Sequence, residues 1–172
     1  MKQVDYTLAI TRKFPEAVAV AVTWDEVHQR PNMMTLGWHM CTSFKPPMLA
    51  ISIGLTRHTH STLTACGEFV LAFPHAGQEQ ALLFCGTRSG SQIDKSKESG
   101  FTCVPSKLVR PPLIDDACAN FECRVAGSIR AGDHTIFIGE VLASHVARHD
   151  HRRVYSMADG SFAPLGGTAA KG

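Results

Sequence analysis

The chain has 172 residues, 44 % of them apolar, and a formal net charge of +2. This length suits a single domain, residues 1–172, with a real core, and the small charge offers no broad basic surface for nucleic acid. No apolar run is long enough to cross a bilayer as a helix, and the opening MKQVDYTLAITRKF lacks the apolar core of a secretory signal, so a cytoplasmic protein with no membrane partner is expected.

Residues 1–16 read as a lead-in closed by Phe14-Pro15. Ala17–Trp24 then alternates, with Val18, Val20, Val22 and Trp24 on one face and Ala17, Ala19, Ala21 and Thr23 on the other, as a strand requires. Asp25–Pro31 is a polar connection. Asn32–Phe44 is expected to be one extended strand: Met34, Leu36, Trp38, Met40 and Phe44 form a bulky face, and Met33, Thr35, Gly37, His39, Cys41 and Ser43 a mostly small one. A small-residue face lets a ligand or another backbone approach closely. Trp38 on the bulky face also reads as plain core, and Met33, Met34 and Met40 read as packing residues.

Lys45-Pro46-Pro47 breaks the chain, and Met48–Leu55 repeats the pattern, with Leu49, Ile51, Ile53 and Leu55 opposite Ala50, Ser52 and Gly54. Arg57-His58-Thr59-His60-Ser61 leads into a helical run ending at Gly67. A cation and hydroxyls at a helix start suit a phosphate; an ordinary N-cap by Thr59 or Ser61 is the alternative. Glu68–Phe73 is a short strand stopped by Pro74, and Gln78–Cys85 is helical, with Gly86 as its C-cap. Thr87–Gln92 is a loop, Asp94–Glu98 a short helix or turn closed by Gly100, and Phe101–Leu108 extended.

A hairpin follows. Residues 119–129 alternate cleanly, Arg130-Ala131-Gly132-Asp133 turns, and His134–Val146, apolar on both sides, is expected to be a central strand covered on both faces. Arg148–Arg153 reads as a solvated loop. Tyr155–Gly167 is a terminal element containing Phe162, and TAAKG a tail. The six cysteines, Cys41, Cys66, Cys85, Cys103, Cys118 and Cys123, form no CxxC pair and are expected to be reduced thiols. His39, His58, His60 and His75 show no ligand spacing, so no metal is expected. Strands outnumber helices without regular alternation, which favours an antiparallel barrel over a doubly wound sheet; no GxGxxG, GxSxG, HExxH or P-loop is present.

Four segments in order resemble the flavin reductase-like family, most closely its flavoredoxin-like subgroup: N-M-M-T-x-G-W-x-x-x-x-S-x-x-P-P at 32–47, E-F-V-L-A-F-P at 68–74, D-K-x-x-x-S-G-F at 94–101 and G-D-H-x-I-F-I-G-E-V at 132–141. The resemblance covers roughly residues 15–167. It implies a mainly β fold, the six-stranded antiparallel Greek-key split barrel that binds FMN, with a few short helices, in a homodimer with FMN near the interface. It further implies transfer of hydride from NADH or NADPH to flavin, serving free flavin or a partner such as a monooxygenase. The alternatives are a flavoredoxin-like protein that keeps FMN and is reduced by a protein partner, and a non-redox FMN-binding module. Residue by residue, the resemblance assigns Asn32, Thr35 and Trp38 to the flavin, with Ser43 and Ser52 on the same small-residue side. Arg57 and Thr59, supported by Ser61, would hold the phosphate, and Lys95 would reach the cofactor from a loop. His134 would sit near the ring or the nicotinamide as the catalytic candidate, and Phe162 would cover the flavin from the C-terminal segment. Lys95 as a surface charge and His134 as a turn residue are the bland alternatives. The sequence departs from the family in Ala72-Phe73-Pro74, where asparagine often precedes the proline.

Overall fold

The computed structural model describes residues 1–164. The end of the expected Tyr155–Gly167 element and the tail lie outside them. The elements in order are α1 (Tyr6–Ile10), a 3-10 turn (Thr11–Lys13), β1 (Glu16–Ala17), β2 (Ala19–Asp25), β3 (Arg30–Leu36), β4 (His39–Phe44), β5 (Pro47–Gly54), α2 (His58–Cys66), β6 (Glu68–Phe73), α3 (Glu79–Thr87), α4 (Lys95–Glu98), β7 (Cys103–Val104), β8 (Leu113–Ile114), β9 (Ala119–Ala131), β10 (His134–Val146), β11 (Val154–Ser156) and β12 (Phe162–Pro164). None of these helices is long and apolar enough to cross a membrane.

The main sheet has seven strands in the order β3-β2-β6-β9-β10-β5-β4, every pair antiparallel. Its two edge strands, β3 and β4, are neighbours in the chain. Gly37–Trp38 therefore carries the chain from one edge of the sheet to the other and ties it into a split barrel. With β3 and β4 counted as one interrupted strand, the seven strands become the expected six.

The interruption corrects the expectation of one strand over 32–44. At the bend, the His39 N–H turns back to the Gly37 carbonyl (3.1 Å), and the Trp38 carbonyl accepts from Ser52 N–H at 2.9 Å. A register shift between Cys41 and Ser43 breaks the alternation again. The faces are therefore not continuous: Met33 is fully buried, whereas Met40 and Phe44 are 57 % and 93 % exposed.

Two apolar clusters sandwich the sheet. Inside the barrel, Ala19, Ala21, Ile51, Ile53, Phe69, Leu71 and Phe137 pack against Leu63 of α2. Outside it, Val18, Val20, Val22, Met33 and Val70 pack against Leu82 and Cys85 of α3 and Ile114 of β8. The valine and alanine faces of β2 thus each serve a different layer. Gly139 is needed inside, because a Cβ there would come within 2.5 Å of the Phe69 ring.

Several local expectations change. Phe101–Leu108 is not extended throughout; only Cys103–Val104 pairs, with β8. The buried Glu122 carboxylate draws in the next stretch, accepting from the backbone N–H groups of Lys107, Leu108 and Val109 and from His145 Nε2. Gly86 is no C-cap: α3 continues to Thr87. The hairpin turn is only Gly132-Asp133, with Ala131 paired to His134 and Gly132 at φ +62°. The Arg148–Arg153 segment is only partly solvated, for the Arg153 guanidinium lies over the Phe73 ring at 4.5 Å. β10 is central in the order, yet one face stays partly open, with Ile136 and Ile138 half-buried. All six cysteines are free.

Candidate functional site

A cleft of about 690 Å³ opens beside the Gly37–Trp38 crossing. One wall is the end of β3 and the bend itself, Met34 to Trp38; the others come from the end of β5 (Ser52, Gly54), the start of α2, the end of α3 with its following loop, and Lys95. The volume lies within the range of about 300–1,000 Å³ common for small-molecule sites.

The start of α2 supplies the polar end. Arg57 occupies the N-cap in an extended conformation, and no side chain caps the first turn. Its free N–H groups and the helix dipole favour an anion, and the Arg57 cation lines the same cleft. His58, on the first turn, is held from behind: its Nε2 donates to Asp25 Oδ2 at 2.7 Å. Asp25 is 1 % exposed and also accepts from His28 Nδ1 and from the N–H groups of Val27 and His28. Burial alone would raise this carboxyl, but the His58 and His28 hydrogen bonds outweigh it and bring the pKa to about 2.

Thr59, buried at 2 % exposure, accepts from Asn32 Nδ2 at 2.9 Å, and the same amide reaches Thr23 Oγ1. Asn32 itself sits behind the cleft wall on β3 rather than in a turn. Its Oδ1 is buried with no partner among the described residues, and it lies so close under Gly90 that a Cβ there would come within 2.0 Å. Glycine at 90 lets the loop after α3 settle over Asn32. Arg30 fixes that loop by donating to the carbonyls of Gly90 and Ile93.

Lys95 is the first residue of α4, not a loop or surface residue. It is 3 % exposed, and its Nζ donates to the carbonyls of Met33 and Cys85, each at 2.8 Å. Burial pushes its pKa down. Trp38, at 43 % exposure, is not core. Its indole lies 4.8 Å from the His134 ring, tilted by 39°. His134 Nδ1 is 2.7 Å from Asp133 Oδ1, and its Nε2 faces Gly54, where a Cβ would stand 3.5 Å away.

Of the sequence candidates, Thr35, Trp38, Ser52, Arg57, Thr59, Lys95 and His134 line this one cleft. Asn32 supports it through Thr59. Three others are placed elsewhere. Ser43 lies on β4 beyond the register shift and does not line the cleft. Ser61 turns its hydroxyl back to the His58 carbonyl at 2.7 Å, the usual self-satisfaction of a helical serine. Phe162 lies on β12, in the small β1-β11-β12 sheet, and packs against the outer core layer. Sequence reading missed Gly54, Gly86 and the Arg88–Gly90 loop, all cleft-lining. Gly86 gives Thr35 room, since a Cβ there would lie 3.4 Å from the Thr35 Cβ. The Thr-Arg-Ser-Gly-Ser composition of that loop was the one available signal.

Comparison with known proteins shows the family and the fold. Residues 11–166 match the family described as "Flavin reductase like domain". An uncharacterized protein of Archaeoglobus fulgidus is 42 % identical over 122 residues, 71 % of this chain and 68 % of that protein. An NADH-dependent FAD reductase of Streptomyces globisporus is 31 % identical over 140 residues, 76 % of this chain and 70 % of that one. Two further archaeal relatives are spanned over only 64 % and 51 % of their length. The crystal structure of a flavoredoxin from Methanosarcina acetivorans superimposes with a TM-score of 0.84 at 24 % identity, covering 99 % of this chain and 94 % of that one, and so shares its fold.

Proposed function

The chain belongs to the flavin reductase like domain family, and from that premise we propose that it is a flavin-dependent oxidoreductase whose cleft holds FMN and admits NADH or NADPH. The observation that carries this reading is the uncapped start of α2, with Arg57 beside it, at one side of the cleft. A phosphate suits that corner. The small residues Gly37, Ser52 and Gly54 along the cleft wall leave backbone accessible to a flat polar group.

A bound flavin would supply the redox chemistry, hydride acceptance from reduced nicotinamide and onward electron transfer. The protein's part is placement and charge. Arg57, Thr59 and the first turn of α2 bind the phosphate. Thr35, Ser52 and the backbone from Met34 to Trp38 orient the ring. Lys95, with two of its three donors bound to carbonyls, sets a positive charge in a wall that excludes water. His134, oriented by Asp133, holds or releases a proton at Nε2. The sequence departure at Ala72 leaves the cleft intact, for Ala72 is fully buried in the outer layer.

We assign the second subunit to the open face near the bend. A second hollow there is lined by Tyr6, Ile10, Trp38, Met40 and Ile136, and Phe44 and Ile129 stand exposed. Trp38 lines both hollows, which supports a cofactor beside the proposed interface. The second reading is electron transfer, with FMN retained and a protein or monooxygenase partner.

The test is the visible spectrum of the purified protein loaded with FMN, before and after anaerobic NADH or NADPH. Prompt bleaching supports the nicotinamide-dependent reductase. A flavin that stays oxidised moves the assignment to electron transfer, and failure to take up FMN overturns the cofactor reading.

A further inference from the structure

Outside the cleft, the fold gathers three side chains that the sequence keeps far apart. His75 follows β6, Asp116 lies between β8 and β9, and His151 lies between β10 and β11. The antiparallel pairing of β6 with β9 and of β9 with β10 puts all three connections at one end of the barrel. One nitrogen or oxygen from each side chain falls within 4.8 Å of the others. His151 Nε2 is 2.8 Å from Asp116 Oδ1, and His75 Nε2 is 3.6 Å from Asp116 Oδ2. The His75 and His151 rings stack at 4.4 Å and 19°.

The His75 ring is anchored from behind. Its Nδ1 bonds to the Ala76 carbonyl, which requires the proton on Nδ1 and leaves the Nε2 lone pair, in the neutral ring, facing a carboxylate oxygen. Two acceptors then oppose each other across 3.6 Å. A backbone carbonyl behind one nitrogen and a free lone pair on the other is the usual arrangement of a metal-bound histidine. Gly77 makes the anchoring possible: at φ +111°, it carries no Cβ, which would crowd His75 Cε1 at 3.2 Å. Asp116 sits at φ +57°, a left-handed conformation uncommon outside glycine. The hydrogen bond from His151 holds its carboxyl below the ordinary range, and half-exposure of its side chain (50 %) leaves the cluster open to solvent.

We propose that His75, Asp116 and His151 form a divalent-metal site, taken by zinc, that clips these three connections together. Two imidazole nitrogens and one carboxylate oxygen suit zinc, with a water completing the tetrahedron. Ligand bonds of about 2.0–2.2 Å in that geometry place ligand atoms roughly 3.3–3.6 Å apart; His151 Nε2 stands 2.8 Å from Asp116 Oδ1 and His75 Nε2 3.6 Å from Oδ2, and with one atom of each residue within 4.8 Å of the others small side-chain rotations reach that spacing. The metal takes the place of the His151 Nε2 proton, and the ring stays neutral with its one proton on Nδ1, any second proton leaving to solvent. The other histidine–carboxylate cluster offers no such vacancy, because Asp25 Oδ2 already accepts from both His28 and His58 and its Oδ1 from two backbone N–H groups.

The full chain, free of any affinity tag and stripped with EDTA, is incubated with zinc, gel-filtered and analysed for bound metal, with its melting temperature measured in parallel. One zinc per chain and a rise of several degrees are expected in the wild type and in His28→Ala, and neither in His75→Ala/His151→Ala. His151→Gln, a milder change, is expected to lose the zinc and the thermal shift while keeping the wild-type circular dichroism spectrum. Cobalt in place of zinc is expected to give visible tetrahedral bands without thiolate charge transfer. Equal zinc in the wild type and in the His75 and His151 variants, no retained zinc in the wild type, or a thiolate band overturns the site. None of these readouts depends on flavin or on reductase activity.

Discussion

The Lys95 ammonium lies 2.8 Å from the Met33 carbonyl, and so joins α4 to the strand that forms the cleft wall. A second bond of the same length ties it to Cys85 at the end of α3. Three elements around the cleft are held by one buried cation. Lys95→Met keeps the bulk of the side chain and leaves two carbonyls without a donor. It is expected to destabilise the fold by about 2–4 kcal/mol, read as a lower urea midpoint. It also weakens flavin binding, because the wall it anchors loosens.

Arg57 and riboflavin distinguish phosphate recognition from ring recognition. Arg57→Ala is expected to weaken FMN by about 10- to 100-fold, the loss of one charge-assisted contact, and to leave riboflavin affinity within about twofold. Fluorescence titration of both flavins at low and moderate salt checks this. Equal losses for the two flavins would place the phosphate elsewhere.

His134 carries the proton-transfer assignment. His134→Asn keeps a polar group beside Trp38 but removes the imidazole. Turnover is expected to fall by about 10- to 100-fold, the lower part of the range for general acid–base groups, with FMN affinity little changed. Stopped-flow reduction by NADH or NADPH as a function of pH separates the two quantities.

Asp25 makes stability depend on acid. Its folded pKa of about 2 lies below the ordinary 3.8, so its contribution is fully present above about pH 4 and disappears as pH falls from there through 2. The shift corresponds to about 2 kcal/mol. Glu122 adds to the same slope: burial would raise its carboxyl, but the backbone N–H groups of Leu108 and Lys107 together with His145 hold it below its ordinary 4.5. Denaturation midpoints between pH 5 and 2 are expected to fall steeply in the wild type and less steeply in Asp25→Asn.

Where side-chain pattern and local backbone coincide, the sequence was legible. The valine–alanine alternation of β2, the leucine–isoleucine face of β5, the helix from His58 to Gly67 and the β9–β10 hairpin all stand at or near their expected bounds. Seven of the eleven candidate site residues converge on one cleft. The remainder depended on distant contacts. Nothing around Gly86 shows that Thr35 will pack against it. No local pattern at 101–108 shows that a glutamate in β9 will bind that backbone. The continuous alternation from Met34 to Met40 conceals the bend at Gly37, because the bend is imposed by pairing: Trp38 bonds to Ser52 across the sheet, while Leu36 stands opposite Ala19 at the other edge.

That crossing also decides where chain entropy is lost in folding. Closing a barrel usually requires its first and last strands to meet, which demands a long loop closure. Here the edge strands are separated by two residues, 37 and 38, so the seam closes almost for free. The long-range work moves to the middle of the sheet, where β5 must find β10 with Ile53 opposite Thr135. That interior pair, not the seam, carries the long sequence separation that slows the folding of β-rich chains.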